Sequence, residues 1–164
     1  MSKSRIMEDM SIVSGIEARG PQSQKLFERL GGRSVIERVH KIFYNKIYAH
    51  PWLGLFFKEI DQIHIESQQT EFMMMLFGGP KIYGGRMPID AHEHIMISEE
   101  LFTQRRELLR ESLQEAGILE GEANEWLNID GAFKKVLIKN SLDECQKRFH
   151  TDEIKDFQDP RILK

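Results

Sequence analysis

The sequence has 164 residues, of which 40% are hydrophobic and 30% charged, with a formal net charge of −3. This length suits one domain with a real core and is short for two. The balanced charge argues against a nucleic-acid partner, and the single Cys145 excludes an internal disulfide. No apolar run reaches the length of a membrane span, and residues 1–20 lack the apolar region of a secretion signal. We therefore expect a cytoplasmic protein.

The two ends of the chain differ from its centre. Apolar residues from Ile6 to Val13 would form a short ridge, but nearby glycines and a proline interrupt it. We expect residues 1–22 to be a mobile or loosely docked extension rather than a helix that binds a partner, because chain ends are often poorly ordered. The globular domain is expected over residues 23–150, and residues 151–164 form a polar tail.

Helical periodicity governs the first half of the domain. A short helix from Leu26 to Leu30 is followed by Gly31-Gly32, a pair that permits a sharp turn. Ser34 is the expected cap of a longer helix that carries an apolar stripe with Tyr44 at its edge. A dense apolar corner follows it. The stripe and the corner comprise Val35, Ile36, Val39, Phe43, Ile47, Trp52, Leu53, Leu55, Phe56 and Phe57.

A polar residue interrupts the next helix, predicted from Asp61 to Phe77. Ile65, Gln69, Phe72 and Leu76 recur at steps of four, three and four, so they share one helical face. An amide on such a face costs about 1 to 3 kcal/mol unless it is hydrogen-bonded. Gln69 therefore either pairs with a neighbouring group or points towards a ligand.

The second half of the domain is also helical. A loop from Gly78 to Pro88 precedes a short helical turn around Ala91. Ser98 is the expected cap of a helix that runs to Gly117. A last helix is predicted from Glu122 to Arg148. We find no strand alternation, and the predicted fold is all-α.

Two histidines stand close together at His92 and His94. The zinc-protease motif requires a second histidine four residues after the first, where this chain has Met96. On a helix, residues two apart diverge by about 200°, so at most one of these two would serve a buried site. The alternative is that both lie on the surface.

Tyr44 and Gln69 place polar tips beside the apolar stripes of consecutive helices. They would either satisfy one another or hydrogen-bond a small polar ligand. If a single imidazole faced them across a flat apolar slot, the arrangement would be one that holds haem for gas binding. The phenylalanines expected to line this slot are Phe57, Phe72, Phe77 and Phe102.

Several motifs occur in a characteristic order. These are LFERLGG at residues 26–32, Phe43-Tyr44, Phe56-Phe57, Gln69-Thr70-Glu71-Phe72 ending in Gly78-Gly79-Pro80, then Tyr83, Gly85-Arg86 and Ala91-His92. In order and spacing they resemble the truncated haemoglobins, and group I most closely, over about residues 25–140.

The resemblance implies a truncated two-on-two globin sandwich around a b-type haem, with an N-terminal extension. His92 falls on the proximal iron ligand, and Tyr44 and Gln69 fall on the distal positions that hydrogen-bond oxygen. The remaining positions implied to contact haem are Phe57, Ile65, Gln68, Phe72, Leu76, Phe77, Tyr83, Arg86, Ile97 and Phe102.

Some residues depart from the family pattern. Gln68 stands where many relatives carry a basic residue that reaches a haem propionate, so haem retention would depend more on Arg86. Arg105 stands where relatives place an apolar residue or tryptophan, and would snorkel outward or reach a propionate or a ligand. His64 is out of phase with Gln69, and His94 is expected to face solvent.

The resemblance implies a five-coordinate haem that binds oxygen, nitric oxide and carbon monoxide. Nitric oxide dioxygenation with a reductase partner is one implied activity. Ligand sensing or storage is another, and peroxide or nitrite redox chemistry a third. From a different class, the chain would be a helical binding module without haem. Fold likeness does not choose among these functions.

Overall fold

The computed structural model describes residues 3–18 and 25–162. Within them lie eight α-helices, two short 3₁₀ helices at Leu53–Phe57 and Leu142–Glu144, and one isolated bridge between Ile95 and Lys155. The predicted all-α class is confirmed. The α-helices are α1 (Lys3–Ala18), α2 (Leu26–Leu30), α3 (Arg33–Ala49), α4 (Gln62–Leu76), α5 (Pro88–His92), α6 (Glu99–Glu115), α7 (Glu120–Gly131) and α8 (Lys134–Leu137).

Two helix pairs form the body of the domain. Helix α3 packs on α4, α6 packs on α7, and the pairs meet where α3 contacts α6. The buried residues of α3, among them Ile36, Val39, Phe43 and Ile47, recur at steps of three and four and so form one face. The core between the helices is therefore the one that the apolar stripes predict.

Side-chain caps fix the starts of helices α4 and α6. The Asp61 carboxylate accepts a hydrogen bond from the His64 amide at 3.0 Å, and the Ser98 hydroxyl accepts one from Leu101 at 3.1 Å. These side chains satisfy amides that a helix leaves without partners. The expected Ser34 cap is wrong, because α3 begins at Arg33 and Gly32 occupies the capping position at φ 83°.

Close backbone packing explains the glycines after α4. The Phe27 amide donates to the Phe77 carbonyl at 3.0 Å, which brings α2 against the end of α4. A Cβ on Gly79 would lie 2.6 Å from a ring carbon of Phe27, so only glycine fits there without a shift. The loop then leads directly into α5.

The predicted last helix from Glu122 to Arg148 is wrong in its second half. Helix α7 ends at Gly131, and after the one-turn helix α8 the backbone becomes extended at Ile138. Tertiary bonds explain the change. The Lys139 amide donates to Ile97 at 2.8 Å, and its ammonium donates to the carbonyls of His92 and Ile95. These bonds tie the chain to the segment after α5.

The N-terminal segment differs from the loosely docked arm that the sequence predicts. Residues 3–18 form α1, which packs against α5 and α4. Asp9 is 1% exposed and accepts a hydrogen bond from the Ile89 amide, and Arg5 pairs with Glu93. Residues 3–18 of the predicted extension are thus a docked helix. Met1, Ser2 and residues 19–22 of the extension lie outside the residues that the structure describes.

The polar tail packs back onto the domain. The Trp52 indole donates to the Phe157 carbonyl at 2.7 Å, and the Phe157 ring lies 5.0 Å from that of Phe56. Backbone bonds on both sides of Lys155 join it to the segment that follows α5. Across residues 3–18 and 25–162, no helix has the length and apolar character needed to cross a membrane.

Candidate functional site

A cavity of about 1100 Å³ lies between α3, α4, α5, α6 and the corner before α4. Most of the site residues predicted from the sequence line it. They are Tyr44, Phe57, Ile65, Gln68, Gln69, Phe72, Arg86, His92, Ile97 and Phe102. The structure thus brings together residues that are far apart in the chain.

Three predicted site residues lie behind the cavity wall instead. Leu76 and Phe77 are buried in the core, where the Phe77 ring contacts Trp126 at 4.9 Å. The Tyr83 ring packs on Phe72 at 5.1 Å, and its hydroxyl donates to the Arg86 carbonyl. These side chains support the wall rather than face the cavity.

His92 is the last residue of α5, and its ring is held by its own helix. Its Nδ1 lies 2.7 Å from the Pro88 carbonyl oxygen, which can only accept, so Nδ1 carries the proton. Burial lowers the pKa of His92 to about 4, and the Pro88 bond offsets only part of this effect. The imidazole is therefore neutral at pH 7, and its Nε2 lone pair is available to a metal.

Tyr44 and Gln69 line the same cavity without bonding to each other. The Tyr44 side chain is 5% exposed and packs against the rings of Phe43 at 5.1 Å and Phe57 at 6.0 Å. Within the described residues, neither the phenol nor the amide makes a hydrogen bond. Burial raises the pKa of Tyr44, so the hydroxyl keeps its proton and remains a donor. The structure therefore does not show the alternative in which Tyr44 and Gln69 hydrogen-bond each other.

Arg86, the basic residue expected to hold haem propionates, already forms an ion pair within the protein. Arg86 lines the cavity, is 43% exposed and pairs with Asp90 at 3.1 Å. Gln68 of α4 also lines the cavity, and His64, which is out of phase with Gln69, is exposed. The role of Arg86 and Gln68 towards propionates remains a prediction.

His94 is not on the surface, and that expectation is wrong. Its side chain is 4% exposed, lines the same cavity as His92, and has an Nδ1 without a hydrogen-bond partner. Helix α5 ends at His92, so the helical divergence does not apply to the two rings. The Lys155 amide donates to the His94 carbonyl at 2.7 Å, and the tail thereby covers it. Burial lowers the pKa of His94 to about 4.

The Arg105 side chain points into the cavity rather than outward to solvent, and it forms an ion pair. Its guanidinium makes two hydrogen bonds to the Asp130 carboxylate, at 2.8 and 2.9 Å, and both residues line the cavity. Sequence reasoning missed Asp130, which is on another helix. The inward direction of Arg105 was detectable, since it shares a helical face with the buried Phe102 and Leu109.

A second polar contact missed from the sequence lies behind Tyr44. The Nδ1 of His40 is 2.7 Å from the Thr70 hydroxyl, and this buried contact joins α3 to α4. The His40 ring contacts Trp126 at 5.5 Å and Tyr44 at 6.2 Å. Its position on the apolar stripe of α3 was the available signal.

An all-helical fold around a largely apolar cavity, with a neutral imidazole and a buried phenol on its walls, has the features of a haem pocket. The comparisons agree with this class. Residues 25–152 match the family described as bacterial-like globin. The group 1 truncated haemoglobin of Tetrahymena pyriformis is 34% identical over 102 residues, which are 62% of this chain and 84% of that protein.

Solved structures give the same result. The Fe(III) truncated haemoglobin of T. pyriformis matches with a TM-score of 0.66 and 31% identity, covering 70% of this chain and 98% of that one. The two-on-two haemoglobin of Synechococcus, in the cyanomet state with covalently attached haem, matches with a TM-score of 0.65 and 27% identity, at 70% and 98% coverage. The chain belongs to the truncated haemoglobins.

Membership implies a haem iron cofactor and the binding of diatomic gas ligands. The residues present fit that cofactor. His92 offers a neutral Nε2, and the cavity wall supplies the aromatic rings of Phe57, Phe72 and Phe102.

Proposed function

We propose that the protein binds dioxygen at a b-type haem, with His92 as the proximal ligand and Tyr44 as the donor to the gas. The observation that carries this proposal is the Tyr44 hydroxyl. The Tyr44 side chain is buried, its hydroxyl keeps its proton and has no partner among the described residues, and the residue lines the same cavity as His92. The hydroxyl is not among the fully buried polar atoms that lack a partner, so it faces the cavity and can donate a hydrogen bond to a ligand there.

When bound, haem supplies an iron that takes a diatomic ligand and shifts negative charge onto it. The Tyr44 hydroxyl then has an acceptor. Such a bond is worth about 1 to 3 kcal/mol, which is about tenfold or more in affinity. We assign the Gln69 amide, on the facing helix, to orient this hydroxyl or to add a second donor.

The other residues act by position. Pro88 fixes the His92 ring through the bond to Nδ1, which directs Nε2 away from its own helix. The apolar side chains of Phe57, Ile65 and Phe72 keep water from competing for the polar groups.

The test is the rate of dioxygen dissociation from Tyr44→Phe. We expect the rate to rise at least severalfold, because one donor is lost, while carbon monoxide dissociation changes little. Tyr48→Phe is the matched control, since the Tyr48 hydroxyl donates to the Ile60 carbonyl at 2.6 Å. An unchanged dioxygen rate in Tyr44→Phe would remove Tyr44 from this role.

The same oxygenated protein tests nitric oxide dioxygenation, which we propose as its turnover. Mixing it with nitric oxide in a stopped-flow instrument should give stoichiometric nitrate and ferric protein. This reaction draws one electron from the protein, so it requires a reductase partner. Slow displacement of dioxygen without nitrate would instead support storage or sensing.

A further inference from the structure

The ion pair between Arg105 and Asp130 is a feature of the cavity wall that gas binding leaves unexplained. The Arg105 side chain is 27% exposed and that of Asp130 is 5% exposed. Burying an ion pair costs desolvation, and replacing such a pair with apolar residues is often neutral or stabilising. Stability alone therefore gives no reason for a charged pair in this position.

The guanidinium retains unused donors. Arginine has five N–H groups, and the two bonds to Asp130 use two of them. Within residues 3–18 and 25–162 the structure shows no other acceptor for Arg105. Because Arg105 also lines the cavity, its remaining N–H groups are available to a ligand there.

The guanidinium lies on the Tyr44 side of the cavity. Its central carbon is 5.4 Å from the centroid of the Phe43 ring, and that ring is 5.1 Å from the Tyr44 ring. A phenol and a guanidinium that face one enclosed space make a pair of donors suited to a small anion.

Electrostatics indicate which end of the ion pair faces the rings. Burial is the main cause of the raised pKa of Tyr44 and the lowered pKa of His40. The positive charge of Arg105 comes next for both groups, whereas Asp130 acts on Tyr44 alone and more weakly. The positive end of the pair thus acts on Tyr44 more strongly than the negative end does, and its charge also reaches His92.

We propose that Arg105, held by Asp130, forms with Tyr44 a binding site for small inorganic monoanions such as nitrite and azide, within the gas-binding cavity. The inference rests on the proposed haem pocket, because the anion and the gas share one space. The phenol and the guanidinium both donate to the anion, and Asp130 keeps the guanidinium in place.

The experiment measures dissociation constants of the ferric protein for azide, nitrite and the neutral ligand imidazole. In the double variant Arg105→Leu/Asp130→Leu, the net charge is unchanged and no buried charge is left alone. We expect azide and nitrite to bind about tenfold or more weakly, the usual effect of losing a charge-assisted hydrogen bond, with imidazole affinity nearly unchanged.

A matched control is the double variant Arg148→Leu/Asp152→Leu. That pair has similar exposure, 21% and 6%, is joined by bonds of 2.8 and 2.9 Å, and lines the same cavity. Its removal should leave the anion-to-imidazole affinity ratio unchanged. An equal loss of anion affinity in both double variants would overturn the assignment to Arg105.

The infrared stretch of bound azide gives a second readout, because its frequency responds to nearby charge and hydrogen bonds. We expect it to shift in the Arg105→Leu/Asp130→Leu protein and not in the control. If that variant fails to fold, Arg105→Gln/Asp130→Asn removes the same two charges with polar side chains, and it should weaken azide and nitrite binding in the same way; unchanged affinities would overturn the site.

The inference can fail separately from the proposed function. A protein that holds haem and responds to Tyr44→Phe, but binds azide and nitrite equally well without Arg105, would refute only the anion site. A protein that cannot hold haem would refute the proposed function itself.

Discussion

One hydrogen bond determines which nitrogen of His92 is free. The Pro88 carbonyl accepts from Nδ1, and burial keeps the ring neutral, so Nε2 is the atom left for a metal. Elsewhere in the cavity lining, the Tyr44 hydroxyl keeps its proton for the same reason, since burial disfavours the charged phenolate. Low polarity thus sets both groups in the protonation state that gas binding requires.

His92→Gly should lose haem or lose the five-coordinate ferrous spectrum, because no other proximal nitrogen is fixed by a backbone carbonyl in the described chain. Added imidazole should restore the spectrum by filling the space of the missing ring. His64→Gly is the control, since His64 is an exposed residue of α4. A wild-type spectrum in His92→Gly would show that another residue ligates the iron.

The sequence was informative where a residue's neighbours along the helix decide its environment. Tyr44 and Gln69 were singled out because each is a polar group on or beside an apolar stripe, whereas His92 was distinguished from His94 only by the resemblance to the truncated haemoglobins. His94 was misassigned because the tail near Lys155 covers it, and that contact depends on folding of the whole chain. Asp130 was missed for the same reason, since its partner lies on α6.

Among the helices, boundaries set by local contacts were predicted correctly, and a boundary set by contacts distant in the sequence was not. Helices α4 and α6 begin where Asp61 and Ser98 cap them, and these signals are local. The helix expected to continue to Arg148 instead breaks after Gly131. The bonds from Lys139 to the segment around α5 outweigh the helical propensity of that stretch.

The docked tail gives a test at this scale. Phe157→Ala should lower the free energy of unfolding by about 1 to 2 kcal/mol, less than for a fully buried phenylalanine. The reason is that Phe157 is 37% exposed yet contacts the Phe56 ring. Urea denaturation measures the change.

Phe149→Ala provides the comparison within the same tail. Phe149 is 48% exposed, and its ring contact is with Arg148. Its removal should cost less than about 0.5 kcal/mol, as for most surface substitutions. Equal effects of the two substitutions would contradict specific docking of the tail through Phe157.

In the molecule as a whole, the two terminal segments meet around the helix that carries His92. The solved relatives cover about 70% of this chain, so substantial parts have no counterpart in them. Helix α1 reaches α5 through Asp9 and Arg5, and the tail reaches the next segment through Lys155. These contacts brace the side of the cavity that carries His92.

Asp9 makes this bracing depend on pH. Burial raises its pKa from 3.8 to about 6, so the folded protein binds the proton more tightly than the unfolded chain does. The stability from this group is present below about pH 4 and is lost as the pH rises through about 6. Other carboxylates, such as Asp152 with its lowered pKa, act in the opposite direction.

The variant Asp9→Asn isolates this effect, because asparagine mimics the protonated acid. Relative to wild type, it should be more stable by about 1 to 3 kcal/mol at pH 8 and nearly equal at pH 4, by urea denaturation. Glu120→Gln, at an exposed carboxylate on α7, is the control and should show no comparable trend. A pH-independent difference for Asp9→Asn would contradict burial of an ionised Asp9.

The most direct test of the central claim is the absorption spectrum of the purified protein after haem reconstitution. The spectrum is recorded in the ferric state, then after reduction, with and without carbon monoxide. Binding of haem through His92 predicts a Soret band, a five-coordinate ferrous form and a clear shift with carbon monoxide. A colourless protein without Soret absorbance would contradict the haem site on which the proposed function depends.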